Sequence, residues 1–158
     1  NIRYAKLTTL KSFYNDDYLP ILTQGTILQE DYGGKNYWLC IQPKCDSVRI
    51  TTKKRAFLLL RLIKVGEGRS FDIVLNSETY LKIDYSIFKS QLVDFNTSVG
   101  GTVELVDDNS IKKYLRGDNK KMIWVGELKS DYGQYISNKY AADLARVGMD
   151  HSEWLRRS

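Results

Sequence analysis

The sequence predicts an α+β domain, in which a small antiparallel β-barrel or curled sheet carries a long C-terminal helix packed on it. Three observations lead to this prediction: many short apolar segments separated by turn residues, two glycine pairs between such segments, and one long helical repeat near the C-terminus. Strands that follow one another without helical segments favour antiparallel pairing, because parallel neighbours need crossover helices. We expect one domain over residues 1–158, with a lead-in over 1–18, a β-rich part over 19–106 and a helical part over 110–158.

The β-rich part begins after Leu19-Pro20, because proline fixes its own φ and disfavours helix in the residue before it. Gly33-Gly34 predicts a hairpin between the first two strands, since glycine tolerates the positive φ of a tight turn. Gly100-Gly101 predicts a second hairpin loop in the same way. The segments predict seven or eight strands, at 21–29, 37–42, 48–52, 55–65, 71–75, 79–83, 92–95 and 102–106.

The period of the sequence changes after Asp107. Ser110 is placed to cap a short helix that begins at Ile111 and ends near Gly117. From about Lys121 onward, apolar residues recur at three- and four-residue steps, which is typical of a helix with one buried face. These residues are Leu128, Tyr132, Tyr135, Ile136, Tyr140, Leu144 and Val147. Gly148 is placed to end this helix, and a last turn with Trp154 and Leu155 is expected to pack back on the sheet.

Length and composition exclude several classes of protein. A chain of 158 residues with 42% hydrophobic content can bury a core without disulfides or a structural metal. Its longest apolar run, 56–60, lies between Arg55 and Arg61 and is far too short for a membrane span. We therefore expect no membrane contact, no cofactor and, with two cysteines only, a cytoplasmic location. The start at Asn1-Ile2-Arg3-Tyr4 has no features of a signal peptide and predicts a piece of a longer protein.

The most unusual local sequence is Cys40-Ile41-Gln42-Pro43-Lys44-Cys45-Asp46, and it provides the catalytic candidates. A thiol enzyme would use Cys45 as its nucleophile and His151, the only histidine, as its base, with Asp46 nearby. A buried structural cysteine and a turn-capping aspartate explain the same residues without catalysis. Two cysteines and one histidine at this spacing do not make a zinc site, so no metal is expected.

The net charge of +5 comes mostly from residues 111–158, which contribute +4 (10 basic less 6 acidic). Such an excess attracts polyanions without specifying one of them. As a nucleic-acid-binding face it would use the basic clusters, with exposed aromatic rings stacking on bases. The candidate residues are Lys53, Lys54, Arg55, Lys112, Lys113 and Arg116. The alternative is that these charges are solvated and that most of the aromatic rings belong to the core.

Three stretches of the chain together resemble a known group of proteins. They are Leu22-Thr23-Gln24-Gly25-Thr26-Ile27-Leu28, Leu39-Cys40-Ile41-Gln42-Pro43-Lys44-Cys45-Asp46-Ser47-Val48-Arg49, and Gly126-Glu127-Leu128-Lys129 through Arg146-Val147-Gly148-Met149-Asp150-His151-Ser152-Glu153-Trp154-Leu155-Arg156-Arg157. These stretches resemble the C-terminal region of bacterial proteins described as response-receiver-domain proteins. The resemblance implies a module that follows a receiver-like domain in bacterial signalling or phage defence. It also implies an upstream receiver-like domain, or an ATPase- or kinase-like protein, as the partner, and it carries over no catalytic residue.

Three functions remain open at this point. The first is a non-enzymatic output or interaction module that binds a protein partner or a receiver-like domain. The second is a nucleic-acid-binding effector that uses the basic face. The third is an enzyme, either a cysteine-dependent hydrolase with Cys45 or a small-barrel nuclease. The lack of a complete catalytic pattern in the sequence favours the first.

Overall fold

A computed structural model describes residues 9–12 and 17–157, and for residues 147–157 it describes the backbone alone. Nine strands form one sheet, which a long helix follows, in agreement with the predicted α+β class. The strands are β1 Thr26–Glu30, β2 Tyr37–Cys40, β3 Lys54–Val65, β4 Ile73–Asn76, β5 Thr79–Asp84, β6 Gln91–Asn96, β7 Leu105–Asp108, β8 Ile111–Leu115 and β9 Lys121–Glu127. The helices are the short α1 Lys44–Ser47 and the 28-residue α2 Ser130–Arg157.

The strand pairing is antiparallel, and the strand order is β4-β5-β3-β2-β1-β9-β8-β7. Strand β6 lies outside this path, because it pairs with residues 54–59 of β3, whereas β5 pairs with residues 61–65 of the same strand. Since β2 occupies the opposite edge of β3, this strand changes partner along one edge near Leu60. Among the described residues no ladder pairs β6 with β8, and a single bridge connects Phe95 of β6 to Arg116, the residue after β8, so the sheet is not closed into a barrel.

Strands β1 and β2 and the middle of β3, residues 57–62, have side chains of both faces in the core, so their alternating residues enter two separate cores. The helix-side core lies between the sheet and α2 and consists of Leu10, Ile27, Leu39, Ile41, Leu60, Leu62, Ile73, Leu81, Ile83, Leu128, Ile136 and Tyr140. The curled-side core lies within the bend of the sheet and consists of Leu22, Leu28, Trp38, Cys40, Ile50, Phe57, Leu59, Val93, Phe95, Val103, Tyr114 and Met122.

Helix α2 contacts the sheet through its first three turns. Its buried residues Gly133, Ile136 and Tyr140 lie three or four positions apart, as the sequence pattern predicts for a helix with one buried face. Gly133 faces the Gly25 turn, and a Cβ at this position would lie 3.6 Å from the Cα of Gly25, which is an ordinary van der Waals contact. Tyr140 also donates to or accepts from the Ser90 hydroxyl at 2.9 Å. The first half of α2 therefore closes one face of the sheet.

The predicted apolar stripe of α2 is correct only in part. Tyr135 and Leu144 are 58% and 47% exposed, because the helix continues beyond the part that the sheet covers. The backbone also remains helical through Gly148 to Arg157, so the predicted end at Gly148 is wrong. A glycine inside a helix costs only about 1 kcal/mol relative to alanine, which the rest of the helix offsets. The side chains of Val147, Trp154 and Leu155 lie outside the described residues.

The predicted helical part over 110–158 begins too early, because β8 and β9 occupy most of residues 111–127. Asn109 and Ser110 have φ angles of 51° and 67°, and Asp108 pairs with Ile111. The two residues are therefore the turn of a β7–β8 hairpin, in which both central residues need positive φ, and Ser110 caps no helix. Ser110 and Gly117 predict the cap and the end of a short helix, but strand pairing on both sides of residues 111–115 decides the conformation.

Both predicted glycine turns are confirmed. Gly33, with a φ of 53°, lies in the connection between β1 and β2. The N–H of Ser98 donates to Thr102 O at 2.8 Å across the Gly100-Gly101 turn. The segment 48–52, predicted as a strand, is not one: Arg49 has a φ of 56°, and the N–H of Ile50 donates to Gly101 O at 2.9 Å. This segment covers the curled-side core as a loop.

The described part of the chain contains no helix with both the length and the apolar character that a bilayer crossing requires. Most of the predicted lead-in over 1–18 lies outside the described residues.

Candidate functional site

The predicted basic face is divided between different surfaces. Lys112 and Lys113 are neighbours on β8, so their side chains leave the strand on opposite faces. Lys112 Nζ lies 3.9 Å from a carboxylate oxygen of Asp107, while Lys113 Nζ lies 2.8 Å from Asp31 and 3.1 Å from Asp108. The hydrogen bonds that the Lys113 ammonium donates to Asp31 and Asp108 raise the pKa of Lys113. Both lysines are thus matched by carboxylates of this chain.

Lys54 and Arg116 are the two predicted residues that the fold brings together. They line one surface groove, in which Lys54 Nζ donates to Gly117 O at 3.0 Å. The Arg116 guanidinium lies over the ring of Tyr32, 5.3 Å from its centroid, and 3.2 Å from a carboxylate oxygen of Asp118. The positive charge of this groove is therefore also reduced by an acidic neighbour.

Of the other predicted basic residues, only Arg55 has a contact with the short helix α1 within the described part of the chain. Lys53 is exposed, and Arg55 lies 3.9 Å from a carboxylate oxygen of Asp46.

The thiol candidate Cys45 is exposed. His151 belongs to the part of α2 whose side chains are outside the described residues, so no thiol–imidazole pair is established. Cys40 is fully buried, and this burial raises the pKa of its thiol to about 12, which makes it a core residue and a poor nucleophile.

A different surface groove, of about 590 Å³, lies where β3 changes partner, and we call it the Arg61 groove. It is lined by Trp38, Arg61, Ile63, Asp84, Phe88, Lys89 and Gln91. Arg61 stands at its centre in the sheet, because it is the direct neighbour of Trp38 on β2 and of Asp84 on β5. The groove lies on the same face of β3 as Phe57 and Leu59 of the curled-side core. It begins where β6 no longer pairs with β3.

A chain of contacts holds the Arg61 guanidinium in place. Its carbon lies 5.3 Å from the centroid of the Trp38 ring, and Nη2 donates to Asn36 Oδ1 at 2.7 Å. Behind them, the Glu30 carboxylate accepts hydrogen bonds from Trp38 Nε1 at 2.9 Å and from Asn36 Nδ2 at 3.1 Å. Glu30 is only 9% exposed, so this network orients both groups that contact Arg61.

Arg61 itself retains unused hydrogen-bonding capacity. A guanidinium has five N–H donors, and the described residues accept one of those of Arg61. The nearby carboxylate of Asp84 accepts a hydrogen bond from the N–H of Ser86 at 2.9 Å, and no described carboxylate lies within 4.0 Å of the guanidinium. This contrasts with Arg55 and Arg116, which both have carboxylate partners.

Apolar side chains border the arginine on the open side of the sheet. Ile63, two residues along β3 on the same face, is 44% exposed, and Phe88 in the β5–β6 connection is 86% exposed. Lys89 adds a second cation at the rim. Exposed apolar residues around an ordered arginine are typical of protein-binding surfaces, where aromatic residues and arginine are enriched.

The sequence patterns did not single out these residues, although one signal was present. Arg61 interrupts the apolar sequence of a long strand and lies between the buried residues Leu60 and Leu62, and a charged residue in such a place requires a partner or a function. The sequence around Phe88 does not predict that its side chain is exposed, because a single phenylalanine near a turn is equally compatible with burial.

The described ranges contain no group of three or more His, Cys, Asp or Glu side chains that could hold a metal ion. No family model, no curated protein and no solved structure matches this chain.

Proposed function

We propose that this chain is a non-enzymatic interaction module that binds a protein partner through the Arg61 groove. The observation that carries the proposal is the half-buried Arg61 guanidinium, oriented by Trp38 and Asn36 but without a carboxylate partner among the described residues, beside exposed Ile63 and Phe88. Preorganised arginine and aromatic anchors contribute most of the binding energy in many protein interfaces, because little conformational entropy is lost when they bind.

Charge distribution favours a protein over a nucleic acid as the partner. Nucleic-acid affinity depends on several cations that contact successive phosphates. In this chain, four of the six predicted basic residues lie within 4.0 Å of carboxylates, and the six are spread over several surfaces. The Arg61 groove has two cations and one carboxylate among its lining residues, together with exposed apolar side chains. Such a mixture fits a protein surface better than a phosphate backbone.

The resemblance described above supplies the biological setting of the proposal. We place the module in the cytoplasm of a bacterium, in a signalling or phage-defence protein. A receiver-like domain upstream of the module, or an ATPase- or kinase-like protein, is the proposed partner.

A selection of binding peptides tests the proposal although the partner itself is unidentified. A phage-displayed dodecapeptide library is selected on the purified chain, and the binders are tested on a Phe88→Ser variant and on a Leu92→Ser variant. Leu92 is also strongly exposed, at 72%, but lines a different groove, so it is the matched control. We expect peptides that lose binding with Phe88→Ser and keep it with Leu92→Ser. Failure to enrich any peptide with this dependence would overturn the proposal.

The alternative functions have separate measurements. Fluorescence anisotropy with labelled single- and double-stranded RNA and DNA, repeated at several salt concentrations, tests the basic face. Tight binding that weakens steeply with salt and is lost in Lys54→Glu or Lys113→Glu would favour a nucleic-acid-binding effector. A hydrolytic activity of the purified chain that disappears in a folded Cys45→Ser variant would favour the thiol enzyme.

A further inference from the structure

The composition of the Arg61 groove also indicates what kind of peptide segment it binds. We infer that the groove recognises an extended acidic segment, in which an Asp or Glu carboxylate pairs with Arg61 and an apolar side chain two residues away packs between Ile63 and Phe88. This inference rests on the proposed function, because it requires that the groove is a protein-binding site.

Charge complementarity selects a carboxylate. The lining has two cations, Arg61 and Lys89, against one carboxylate, Asp84, which already accepts a hydrogen bond from the Ser86 N–H. Arg61 keeps its fork of donors in one orientation, since its guanidinium is held over the Trp38 ring and by the Asn36 side chain. A planar, oriented guanidinium matches the two oxygens of a carboxylate, and such charge-assisted pairs are stronger than neutral hydrogen bonds.

The spacing along β3 selects an apolar residue at a defined distance from the acidic one. Arg61 and Ile63 are two positions apart on β3, so their side chains lie on the same face of the sheet. Their Cα atoms are roughly 6.6 Å apart, which is twice the rise per residue of a strand. An extended peptide has the same two-residue repeat on each of its faces. A segment with an acidic residue at one position and Leu, Ile or Phe two positions away can therefore place both side chains at once.

Phe88 gives this apolar subsite its outer wall. At 86% exposure it has little to pack against in the free chain, and it borders the Arg61 groove on one side and a second groove, with Asp143 and Arg146 of α2, on the other. A bound apolar side chain would cover it. The acidic residue and the apolar residue thus have distinct partners, which can be removed separately.

Binding of synthetic peptides tests the inference. A fluorescein-labelled peptide with Glu and Leu two residues apart is compared by fluorescence anisotropy with a Gln-and-Leu peptide and a Glu-and-Ser peptide, all with amidated C-termini. A further copy of the Gln-and-Leu peptide with a free C-terminus shows whether a terminal carboxylate can replace the side chain. We expect each substitution in the amidated peptides to weaken binding about tenfold or more, because each removes one anchored side chain.

Variants of the chain assign each loss to its residue. With Arg61→Gln, the Glu and Gln peptides should bind within about twofold of each other, because the Glu carboxylate no longer has a guanidinium with which to pair. Lys64→Gln removes the same charge from the other face of β3 and should preserve the difference. Circular dichroism and thermal melting would test whether Arg61→Gln is folded. If Arg61→Gln does not fold, Arg61→Lys replaces it, because lysine keeps the charge but lacks the planar group that binds both carboxylate oxygens.

Two results would overturn the inference, and they differ in whether the proposed function survives. If selected peptides depend on Phe88 but carry no acidic residue, or tolerate Glu-to-Gln replacement within about twofold, the groove binds proteins by another chemistry and the proposed function survives. If neither selected nor synthetic peptides bind in a manner that depends on Phe88, the proposed function fails as well.

Discussion

The two cores of this protein cover the two faces of the same three strands by different means. The helix-side core has one aromatic residue, Tyr140, among its buried members, and it is filled by leucine and isoleucine between a sheet face and a helix. The curled-side core has four, including Phe57, Phe95 and Tyr114, and it is enclosed by the bend of the sheet itself. Partly buried Tyr37, Tyr85 and Tyr132 also pack against the helix-side core, so the two cores differ in which residues are fully buried and not in whether aromatic rings contact them.

The difference explains where the candidate binding surface lies. A helix covers whatever lies beneath it, so Leu60 and Leu62 on the helix side of β3 are buried. A bent sheet covers its concave face only where strands oppose it. Beyond Leu60, strand β3 pairs with β5 in place of β6, and the curled-side residues Arg61 and Ile63 are left open. The groove is thus a consequence of the way in which one face is covered.

Thiol labelling gives the largest expected contrast between core and surface. Cys40 is fully buried in the curled-side core, and burial raises the pKa of its thiol to about 12, while Cys45 is exposed. The free energy of unfolding of a native domain is roughly 5 kcal/mol or more, and Cys40 can react only when the domain opens. Cys40 should therefore react at least about 10³-fold more slowly than Cys45. Mass spectrometry after timed alkylation measures both rates. Equal rates would show that the curled side is open in solution.

Phe95→Ala should cause a larger loss of stability than Ile136→Ala, Gly101→Ala or Gly133→Ala. Phe95 is fully buried and meets Phe57 edge to face, with ring centroids 5.7 Å apart. Its removal leaves a cavity that the bent sheet cannot collapse, so we expect a loss of about 3–5 kcal/mol in the free energy of unfolding. Urea denaturation provides the measurement. A loss below about 2 kcal/mol would mean that the curled side repacks as readily as the helix side.

Ile136→Ala tests the helix-side core and should cost less. Ile136 is fully buried on α2, but the helix can move toward the sheet and reduce the cavity. We expect a loss of about 2–4 kcal/mol, measured by the same denaturation experiment. A cost equal to or above that of Phe95→Ala would reverse the proposed difference between the two sides.

Gly101→Ala examines how the curled-side core is covered at one end. Gly101 has a φ of 79°, and a Cβ there would lie 3.1 Å from the Cα of Arg49. Both the strained backbone and the close contact oppose alanine, so we expect a loss of about 1–3 kcal/mol. Gly66→Ala is the control, because a Cβ at Gly66 meets nothing within 4 Å and its φ is not in the positive range. The two variants would be compared by thermal melting.

Gly133→Ala should have the smallest effect, and of opposite sign. A Cβ at Gly133 lies at an ordinary contact distance, 3.6 Å, from Gly25. Alanine is better than glycine within a helix, so we expect a gain of about 0.5–1 kcal/mol. A marked loss in the melting temperature would show that α2 and the Gly25 turn are in closer contact than their geometry indicates.

The parts of the fold that the sequence predicted correctly are those with local causes. The hairpin at Gly33 follows from a glycine pair between two apolar segments, and β3 is predicted almost to its ends by its apolar composition. The hairpin at Asn109-Ser110 was missed, because a polar cluster that ends in serine fits the N-terminus of a helix as well as a turn. For the candidate site, Arg61 was visible only as an interruption of an apolar run.

The sequence alone determined most of the strands before residue 107, the buried face at the start of α2 and the excess of basic residues, because each depends on residues that are close in the chain. Tertiary structure decided the rest. Whether a lysine has a carboxylate partner depends on strand register, as with Lys113 and Asp31, which are 82 positions apart. In the same way, Arg61 lies beside Trp38 because β3 pairs with β2 on one edge, and it lies beside Asp84 because β3 exchanges β6 for β5 on the other edge.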